Sequence, residues 1–345
     1  MKTMSGIGEK MFLRALLPTL HVDPCFINGF GHDASIIDLG LERHIAFKID
    51  RAPFPVALRR GIGDYKTWGR LAVVANISDL LAVGGDPRAM MLSLVLPSNF
   101  DAADATAIVE GCEEACHEYG VAFLGGDTKE GAVAQVVGAA LGTVEKDGIF
   151  GRASARPGDR LLVAGEVGGF AGTLALMDSG IARNKFPSQW CDLITHPNAR
   201  IKEGNYLRKS CKVAAACDLS DGLADALDIF CGNGVGITLD ESSFPMHTHA
   251  IDASKQGGTP LWRFAFGVGD WAIAYVVREE DAEQLLLEVG ADLVLHEIGH
   301  FDDSGKCLIR DAAGVKHSIP RVINEHFRQR LEDEGTYMEE LLHPK

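Results

Sequence analysis

The chain has 345 residues, of which 46% are hydrophobic and 7% aromatic, and its formal net charge is −15. This length exceeds one ordinary hydrophobic core, so we expect a globular protein of two domains. The acidic balance argues against a nucleic-acid partner, because phosphate backbones are bound by clustered Lys and Arg. The negative charge is still compatible with a small phosphorylated ligand, since a divalent cation can bridge carboxylates and phosphate.

The chain start and the longest apolar region carry no targeting or membrane signal. The start, "MKTMSGIGEKMFLRALLP", is broken by Glu9, Lys10 and Arg14, and no small-residue cleavage site follows. The apolar region 71–97 contains charged side chains such as Asp79, which make a membrane span costly. We therefore expect a cytoplasmic protein without a membrane partner.

Strand and helix patterns follow one another in the first half of the chain. The predicted strands are 43–50, 88–96, 121–124 and 133–144, and the predicted helices are 69–84, which starts as amphipathic, and 101–119. Asp101 can cap the second helix. The Pro-Gly-Asp turn in "SARPGDRLLVAG" marks the predicted boundary between domains at 1–155 and 156–345.

The second half opens with a predicted strand at 160–165, a glycine-rich turn and a helix at 170–179. A helical and irregular stretch runs to about residue 210, and about 60 residues at the C-terminus are predicted as a helical, acidic tail. The "HTHA" segment at 247–250 is predicted as a solvated loop, with metal binding as the alternative. Because strands and helices mix without regular βαβ alternation, the predicted fold class is α+β.

The eight cysteines form no C-x-x-C pair. Cys112 and Cys116 are four residues apart and would share one face of a helix. In a reducing cytosol the cysteines are predicted to be small apolar filler. Several catalytic motifs are also absent from the sequence, namely the P-loop, G-x-G-x-x-G and G-x-S-x-G.

Six aspartates stand at the edges of apolar segments, most of them beside glycine, serine or other small residues. They are Asp33, Asp50, Asp79, Asp127, Asp218 and Asp221. Asp79 is the most unusual, because an unpaired charge inside an apolar helix costs several kcal/mol, roughly 2–7 for a polar group. Taken singly, each Gly-Asp pair is better explained as a turn or a helix cap. The set together suggests hard cations such as Mg²⁺ beside phosphate, because Mg²⁺ binds carboxylate oxygens and nearby glycines let backbone N–H groups approach.

The same segments resemble a known enzyme family. In chain order they are "GIGEKMFL", "GHDASII", "WGRLAVVANISDLLAVGGDP", "LGGDTKEG", "SARPGDRLLVAG", "GGFAGTLALM" and "DLSDGLADAL". They resemble the thiamine-monophosphate kinases, in the superfamily that also holds aminoimidazole ribonucleotide (AIR) synthetase, selenophosphate synthetase and a hydrogenase-maturation dehydratase. The likeness covers roughly residues 5–280 and is more specific for the superfamily than for the kinase.

The resemblance implies a two-domain AIR-synthetase-like fold. The N-terminal domains of two subunits would pair into a dimeric β-barrel, and the C-terminal domain would be an α/β sandwich. It also implies ATP and Mg²⁺ as cofactors and a small-molecule substrate. By motif, the six aspartates fall on metal-binding positions, Gly126, Asp127, Arg152 and Ser220 on nucleotide contacts, and Asp127 and Arg152 on catalytic positions.

Departures from the kinase pattern concentrate where thiamine phosphate would bind. A substrate-contacting His is replaced by Ala57, and a substrate-contacting Glu by Gly269, although Asp270 remains. The first of two aspartates in the first motif is His32, and an expected Asp is Gly169. Because a site built for hydrogen bonding rejects altered ligands steeply, we expect a different acceptor.

Lys48 and Arg51 add positive charge near the predicted phosphates, with plain surface residues as the alternative.

Three functions remain open from the sequence. The first is a kinase-like phosphotransferase with an acceptor other than thiamine phosphate; orthodox thiamine-phosphate kinase is kept as an alternative to it within the same reaction class. The second is a synthetase or dehydratase that phosphorylates an amide or carbonyl oxygen and then releases phosphate. The third is a non-catalytic nucleotide-binding partner, which would not require six carboxylates.

Overall fold

The computed structural model describes residues 3–153, 155–320, 327 and 337–342. Its strands are β1 (Ser35–Ile37), β2 (His44–Ala52), β3 (Asp86–Leu96), β4 (Ala122–Glu130), β5 (Gln135–Val144), β6 (Arg160–Ala164), β7 (Val213–Asp218), β8 (Gly236–Asp240), β9 (Ile273–Val277), β10 (Leu295–Asp302), β11 (Cys307–Arg310) and β12 (Lys316–Ser318).

The α-helices in the described residues are as follows. They are α1 (Met4–Ile7), α2 (Glu9–Leu16), α3 (Val56–Arg59), α4 (Lys66–Ala82), α5 (Ala102–Tyr119), α6 (Gly169–Met177), α7 (Ser188–Thr195), α8 (Ile201–Ser210), α9 (Leu223–Phe230), α10 (Thr248–Gly257), α11 (Leu261–Phe264), α12 (Glu279–Glu288) and α13 (Tyr337–Leu342). None of the helices described here has the length and apolar character needed to cross a bilayer.

The first half forms a five-stranded sheet with the order β1-β2-β5-β3-β4, in which only the β3–β4 pair is parallel. The predicted strands 43–50, 88–96 and 133–144 and helix 101–119 are confirmed within a few residues. The Asp101 side chain accepts hydrogen bonds from the backbone N–H groups of Ala103 and Asp104, so it caps α5 as predicted. Over the described residues this sheet is open, and its closure into a barrel with a second subunit remains a prediction.

Helix α4 is buried on nearly all sides, so its prediction as an amphipathic helix was wrong. One side packs on β2, β3 and β5, and the helix also contacts α8 and β7 of the second half. A Cβ placed on Gly204 of α8 would lie 2.7 Å from a methyl carbon of Leu81, which shows how closely α4 and α8 approach. This packing carries Asn76 and Asp79 into the interior.

The second half forms a seven-stranded mixed sheet with the order β12-β11-β8-β10-β6-β9-β7. One face packs on α6, α9 and α10, and the other shares a core with the first sheet through residues such as Leu162, Ala216 and Tyr275. The mixed α/β class with two sheets therefore agrees with the sequence prediction.

Two local predictions in the second half were wrong. The predicted helical tail contains strands β10 to β12 and the buried helix α13, although residues 321–326 and 328–336 lie outside the described part. The "HTHA" segment begins α10 rather than forming a solvated loop. His247 caps this helix, and His249 is buried with its Nδ1 atom 2.8 Å from Thr173 Oγ1.

Candidate metal and nucleotide site

Most of the predicted aspartates converge where the two halves of the chain meet. Asp33 precedes β1, Asp50 lies on β2, Asp79 lies on α4, and Asp218 ends β7. Strand β2 and helix α4 pack together, and α4 also contacts β7, so three distant segments bring their acidic side chains to one place.

Two cations hold this cluster. Lys48 Nζ lies 2.8 Å from Asp79 Oδ2 and 4.0 Å from Asp50 Oδ2. Arg152 donates to Asp33 Oδ1, with both side chains largely buried. Lys48 is therefore part of the cluster rather than an ordinary surface lysine. Burial is the largest single influence on the pKa of Lys48 and lowers it, but the charge and hydrogen bond of Asp79 together with the charges of Asp50 and Asp218 raise the pKa above its ordinary value.

Asp33, Cys217 and Asp218 form the tightest group of potential ligands in the described residues. Their ligand atoms all lie within 4.8 Å of one another. The Oδ1 atom of Asp33 accepts a hydrogen bond from Arg152, but its Oδ2 atom is buried and has no hydrogen-bond partner among the described residues. A buried oxygen of this kind costs about 1–3 kcal/mol unless another group satisfies it, so this arrangement fits a cation.

The cluster destabilises its own ionised form. Burial is the main cause that raises the pKa of Asp218 to about 7, with the Asp33 charge adding to it. Burial also raises the pKa of Asp79 well above its ordinary value, and the Asp218 carboxylate is the next largest cause. Buried carboxylates with raised pKa values and specific charge neighbours are typical of functional sites.

Among the residues that the structure describes, the carboxylates of this cluster outnumber its cations. The carboxylates are Asp33, Asp50, Asp79, Asp218 and Asp221, and the cations are Lys48 and Arg152. Divalent cations with oxygen preference would supply the missing positive charge, so the donor set fits the Mg²⁺ that the sequence predicts.

The loop after β7 supplies the last predicted residues of the cluster. Ser220 Oγ donates a hydrogen bond of 3.0 Å to Asp218 Oδ1, which orients that carboxylate. Asp221 is exposed, and its charge is one of the causes that raise the pKa of Asp218. Ser220 and Asp221 therefore lie beside the buried carboxylates, as the motif predicts.

Asp127 and Gly126 lie elsewhere in the single chain. The turn predicted at "GGDT" is part of β4, where Gly125 has a φ of +84° and the β3–β4 register shifts by one residue. Gly126 pairs with Leu92, and Asp127 pairs with Ser93.

Strand register places Asp127 on the sheet face opposite Asp50. Ser93, Val137 and Arg51 continue the row of Asp127, whereas Asp50 belongs to the adjacent row, which faces α4. Arg51 and Asp127 lie at the two ends of this row, three strand spacings or about 14 Å apart. Asp127 is 64% exposed and lies 3.9 Å from Lys129.

Comparison with known proteins identifies the family. Residues 31–144 match the model of the AIR synthase related protein, N-terminal domain. The thiamine-monophosphate kinase of Bacillus subtilis is 32% identical over 247 residues, which cover 69% of this chain and 74% of that protein. The chain belongs to the thiamine-monophosphate kinase family of AIR synthase-related proteins.

Two further similarities agree with this family. The thiamine-monophosphate kinase of Pyrococcus horikoshii is 33% identical over 188 residues, but the match spans only 54% of this chain and 59% of that protein. The solved structure described as "AaThiL complexed with AMPPCP and TMP" superposes with a TM-score of 0.75 at 23% identity. The superposition covers 90% of this chain and 95% of that chain, which shows the shared fold.

At the positions that depart from the kinase family pattern, the structure shows what surrounds the altered residues. Ala57 is fully buried in α3, so no polar side chain points from it into a pocket. A Cβ placed on Gly269 would lie 2.6 Å from the Phe170 ring, and Gly269 also has a φ of +94°. Asp270 instead accepts hydrogen bonds of 2.7 Å from the N–H groups of Gly168 and Phe170 at the start of α6.

Sequence reasoning missed one member of the site. Cys217 counted as apolar filler, yet its sulfur lies beside the Asp33 and Asp218 carboxylates. The only available signal was its position, directly before the first aspartate of "DLSDGL". Cys112 and Cys116, by contrast, are buried on α5 as predicted.

Proposed function

We propose that the chain is a Mg²⁺-dependent, ATP-using phosphotransferase that acts on a small acceptor other than thiamine monophosphate. The observation that carries this proposal is the buried, charge-deficient cluster around Asp33, Asp79 and Asp218. Relatives named thiamine-monophosphate kinase support the kinase reaction class. A structural protein would gain nothing from burying carboxylates that repel one another, because each buried unpaired charge is costly.

Mg²⁺ would be held by Asp33, Asp50, Asp79, Asp218 and Asp221, and when bound it would neutralise phosphate charge on ATP. Arg152 and Lys48 already point into the cluster, so their charges remain available to phosphate oxygens once cations satisfy the carboxylates. Ser220 donates a hydrogen bond to Asp218, and we assign it a nucleotide contact on the family motif. Catalysis of this kind needs positioning and charge more than a general base.

A second copy of the chain would supply Asp127 and Gly126, with Asp127 and Arg152 as the catalytic pair. The open face of the first sheet carries exposed apolar side chains, among them Ile49 and Leu124. A cavity of about 570 Å³ is lined by these residues and also by Asp33 and Lys48. Arg51 and Asp127 lie in one row of this face with opposite charges, which makes the face self-complementary for a homodimer.

The altered positions argue for a different acceptor. Ala57 is buried and apolar, and the Phe170 ring occupies the space that a side chain at position 269 would need. The site therefore lacks both a hydrogen-bonding His and an acidic side chain that could face a cationic ring. The loss of two polar contacts typically lowers the specificity constant for a substrate far more than a change in apolar shape does.

The test is a Mg²⁺-dependent ATP turnover assay against a panel of small acceptors that includes thiamine monophosphate, with products identified by phosphorus NMR. We expect a stable phosphorylated acceptor other than thiamine diphosphate. Thiamine diphosphate formed at a normal rate would contradict the acceptor proposal. ADP, free phosphate and a new C–N bond would indicate the synthetase reaction instead.

A pair of matched variants distinguishes the loss of a site carboxylate from the loss of any acidic side chain. Asp218→Asn removes a buried ligand, whereas Asp303→Asn removes an exposed carboxylate on the loop after β10. We expect at least about a hundredfold loss of turnover for the first variant, of the size seen when a transition-state contact is removed, and none for the second. Equal turnover in both variants would refute the proposed site.

A further inference from the structure

The Cys217 thiol has a polar environment that is unusual for a buried cysteine. The Cys217 residue is 4% exposed, and its sulfur lies within 4.8 Å of carboxylate oxygens of Asp33 and Asp218. The thiol donates to the backbone carbonyl of Asp218 at 3.2 Å. A cysteine that serves only as apolar filler has no need of two carboxylates as neighbours.

A second, independent observation points to a ligand. The Asp33 side chain is only 9% exposed, and within the described part of the chain its Oδ2 atom has no hydrogen-bond partner. The Arg152 guanidinium donates its hydrogen bond to Oδ1 of the same carboxylate, so it does not satisfy Oδ2. A metal ion bound to that oxygen would remove the deficit.

We propose that Asp33, Cys217 and Asp218 form a binding site for one thiophilic divalent cation of the Zn²⁺ and Cd²⁺ class. Thiolate ligands select such ions, whereas Mg²⁺ binds oxygen ligands and keeps much of its water. Two carboxylates and one sulfur supply three protein ligands, and water completes the tetrahedral coordination that Zn²⁺ prefers. As the sulfur–metal bond forms, the thiol proton passes to the solvent.

This site does not depend on the proposed phosphotransfer, because it needs neither nucleotide nor acceptor. It shares Asp33 and Asp218 with the proposed Mg²⁺ site, so one ion excludes the other. A thiophilic ion would therefore act as a competitive inhibitor with respect to Mg²⁺.

The test adds Cd²⁺ to metal-free protein without nucleotide and records the ultraviolet sulfur-to-cadmium charge-transfer band, with affinity measured by equilibrium dialysis. We expect the band to saturate at one Cd²⁺ per chain and to be displaced by excess Zn²⁺. Cys217→Ser is expected to lose the band and to bind Cd²⁺ at least about tenfold more weakly, since even supporting groups of metal sites cost that much. Its Mg²⁺ affinity should change little.

Control variants test three of the other thiols. Cys231 and Cys307 lie close enough to hydrogen-bond with each other and could also attract Cd²⁺. The double variant Cys231→Ser/Cys307→Ser and the exposed-thiol variant Cys211→Ser should both retain the band of the first equivalent. A band unchanged in Cys217→Ser would overturn the proposal.

Circular dichroism and thermal melting check that Cys217→Ser folds. If it does not fold, Asp33→Asn provides the decisive measurement, because it keeps the thiol and removes the oxygen that lacks a partner. We expect the band per bound Cd²⁺ to persist with affinity reduced at least about tenfold. Unchanged Cd²⁺ affinity in Asp33→Asn would then refute the site.

Discussion

Replacing Asp218 with Asn should stabilise the metal-free protein while abolishing its stabilisation by metal and nucleotide. The Asp218 carboxylate is buried beside Asp33, and burial raises its pKa to about 7 from an ordinary value of 3.8. A group with a raised pKa contributes stability that is present below its unfolded pKa and is lost as the pH rises through its folded pKa. In the metal-free wild type, the free energy of unfolding should therefore fall between about pH 4 and pH 7 and then level off.

The size of this effect follows from the pKa. Each pH unit inside that window costs the folded state at most about 1.4 kcal/mol, so the upper bound at about pH 8 is about 4 kcal/mol. Asn is neutral and of similar shape, and it can still accept from Ser220. Because the coupled carboxylates share the cost, we expect the advantage of Asp218→Asn over wild type to grow by about 2 kcal/mol between about pH 5 and pH 8.

The assay is urea unfolding in EDTA at several pH values, repeated with saturating Mg²⁺ and a non-hydrolysable ATP analogue. Ligand at a hundred times its dissociation constant should stabilise the wild type by about 2.7 kcal/mol and the variant by much less. A variant that is less stable than wild type in EDTA at about pH 8 would refute the reasoning. Asp303→Asn serves as the control that should show neither effect.

Three further predictions concern the cluster and its surroundings. Lys48→Met should lower the free energy of unfolding in EDTA by about 3 kcal/mol, because it removes the lysine that lies 2.8 Å from Asp79. Lys48→Arg keeps the positive charge and should lose less stability. Equal losses of the two variants in denaturant unfolding would contradict this. Gly69→Ala should lower the free energy of unfolding by about 3 kcal/mol or more, because a Cβ there would lie 1.9 Å from the Ile108 carbonyl oxygen. In Gly232→Ala, a Cβ would have no described atom within 4 Å, so the free energy of unfolding should change by no more than about 0.5 kcal/mol. Thermal melting of both variants measures the difference. Leu124→Asp should yield monomers in sedimentation velocity and lose turnover, whereas Leu287→Asp, at a 77% exposed leucine on α12, should do neither; a dimeric Leu124→Asp variant would exclude the open sheet face as the interface.

The parts of the fold that follow local periodicity could be predicted from the sequence. Helix α5 shows apolar residues at helical spacing after a capping Asp101, and β2 and β3 are short apolar runs. Strand β4 could not be predicted beyond its apolar start, because "GGDTKE" has no strand propensity and is held by its pairing with β3. The burial of α4 on nearly all sides likewise depends on tertiary structure, since it requires contacts with both sheets.

The site was predictable in composition but not in arrangement. The residue pattern and the family resemblance together selected Asp33, Asp79 and Asp218, which the fold brings together. Neither could indicate that Asp127 lies on the other face of the sheet, because that depends on strand register. Cys217 was missed because a cysteine in an apolar strand gives no sign of carboxylates contributed by distant segments.

Isothermal titration calorimetry of a non-hydrolysable ATP analogue tests the central claim most directly, namely that these carboxylates gather divalent cations to hold a nucleotide. We expect uptake of the analogue by the wild type in Mg²⁺, no uptake in EDTA, and a strong loss in Asp218→Asn. Binding of equal strength with and without Mg²⁺, or no binding in either condition, would contradict the account.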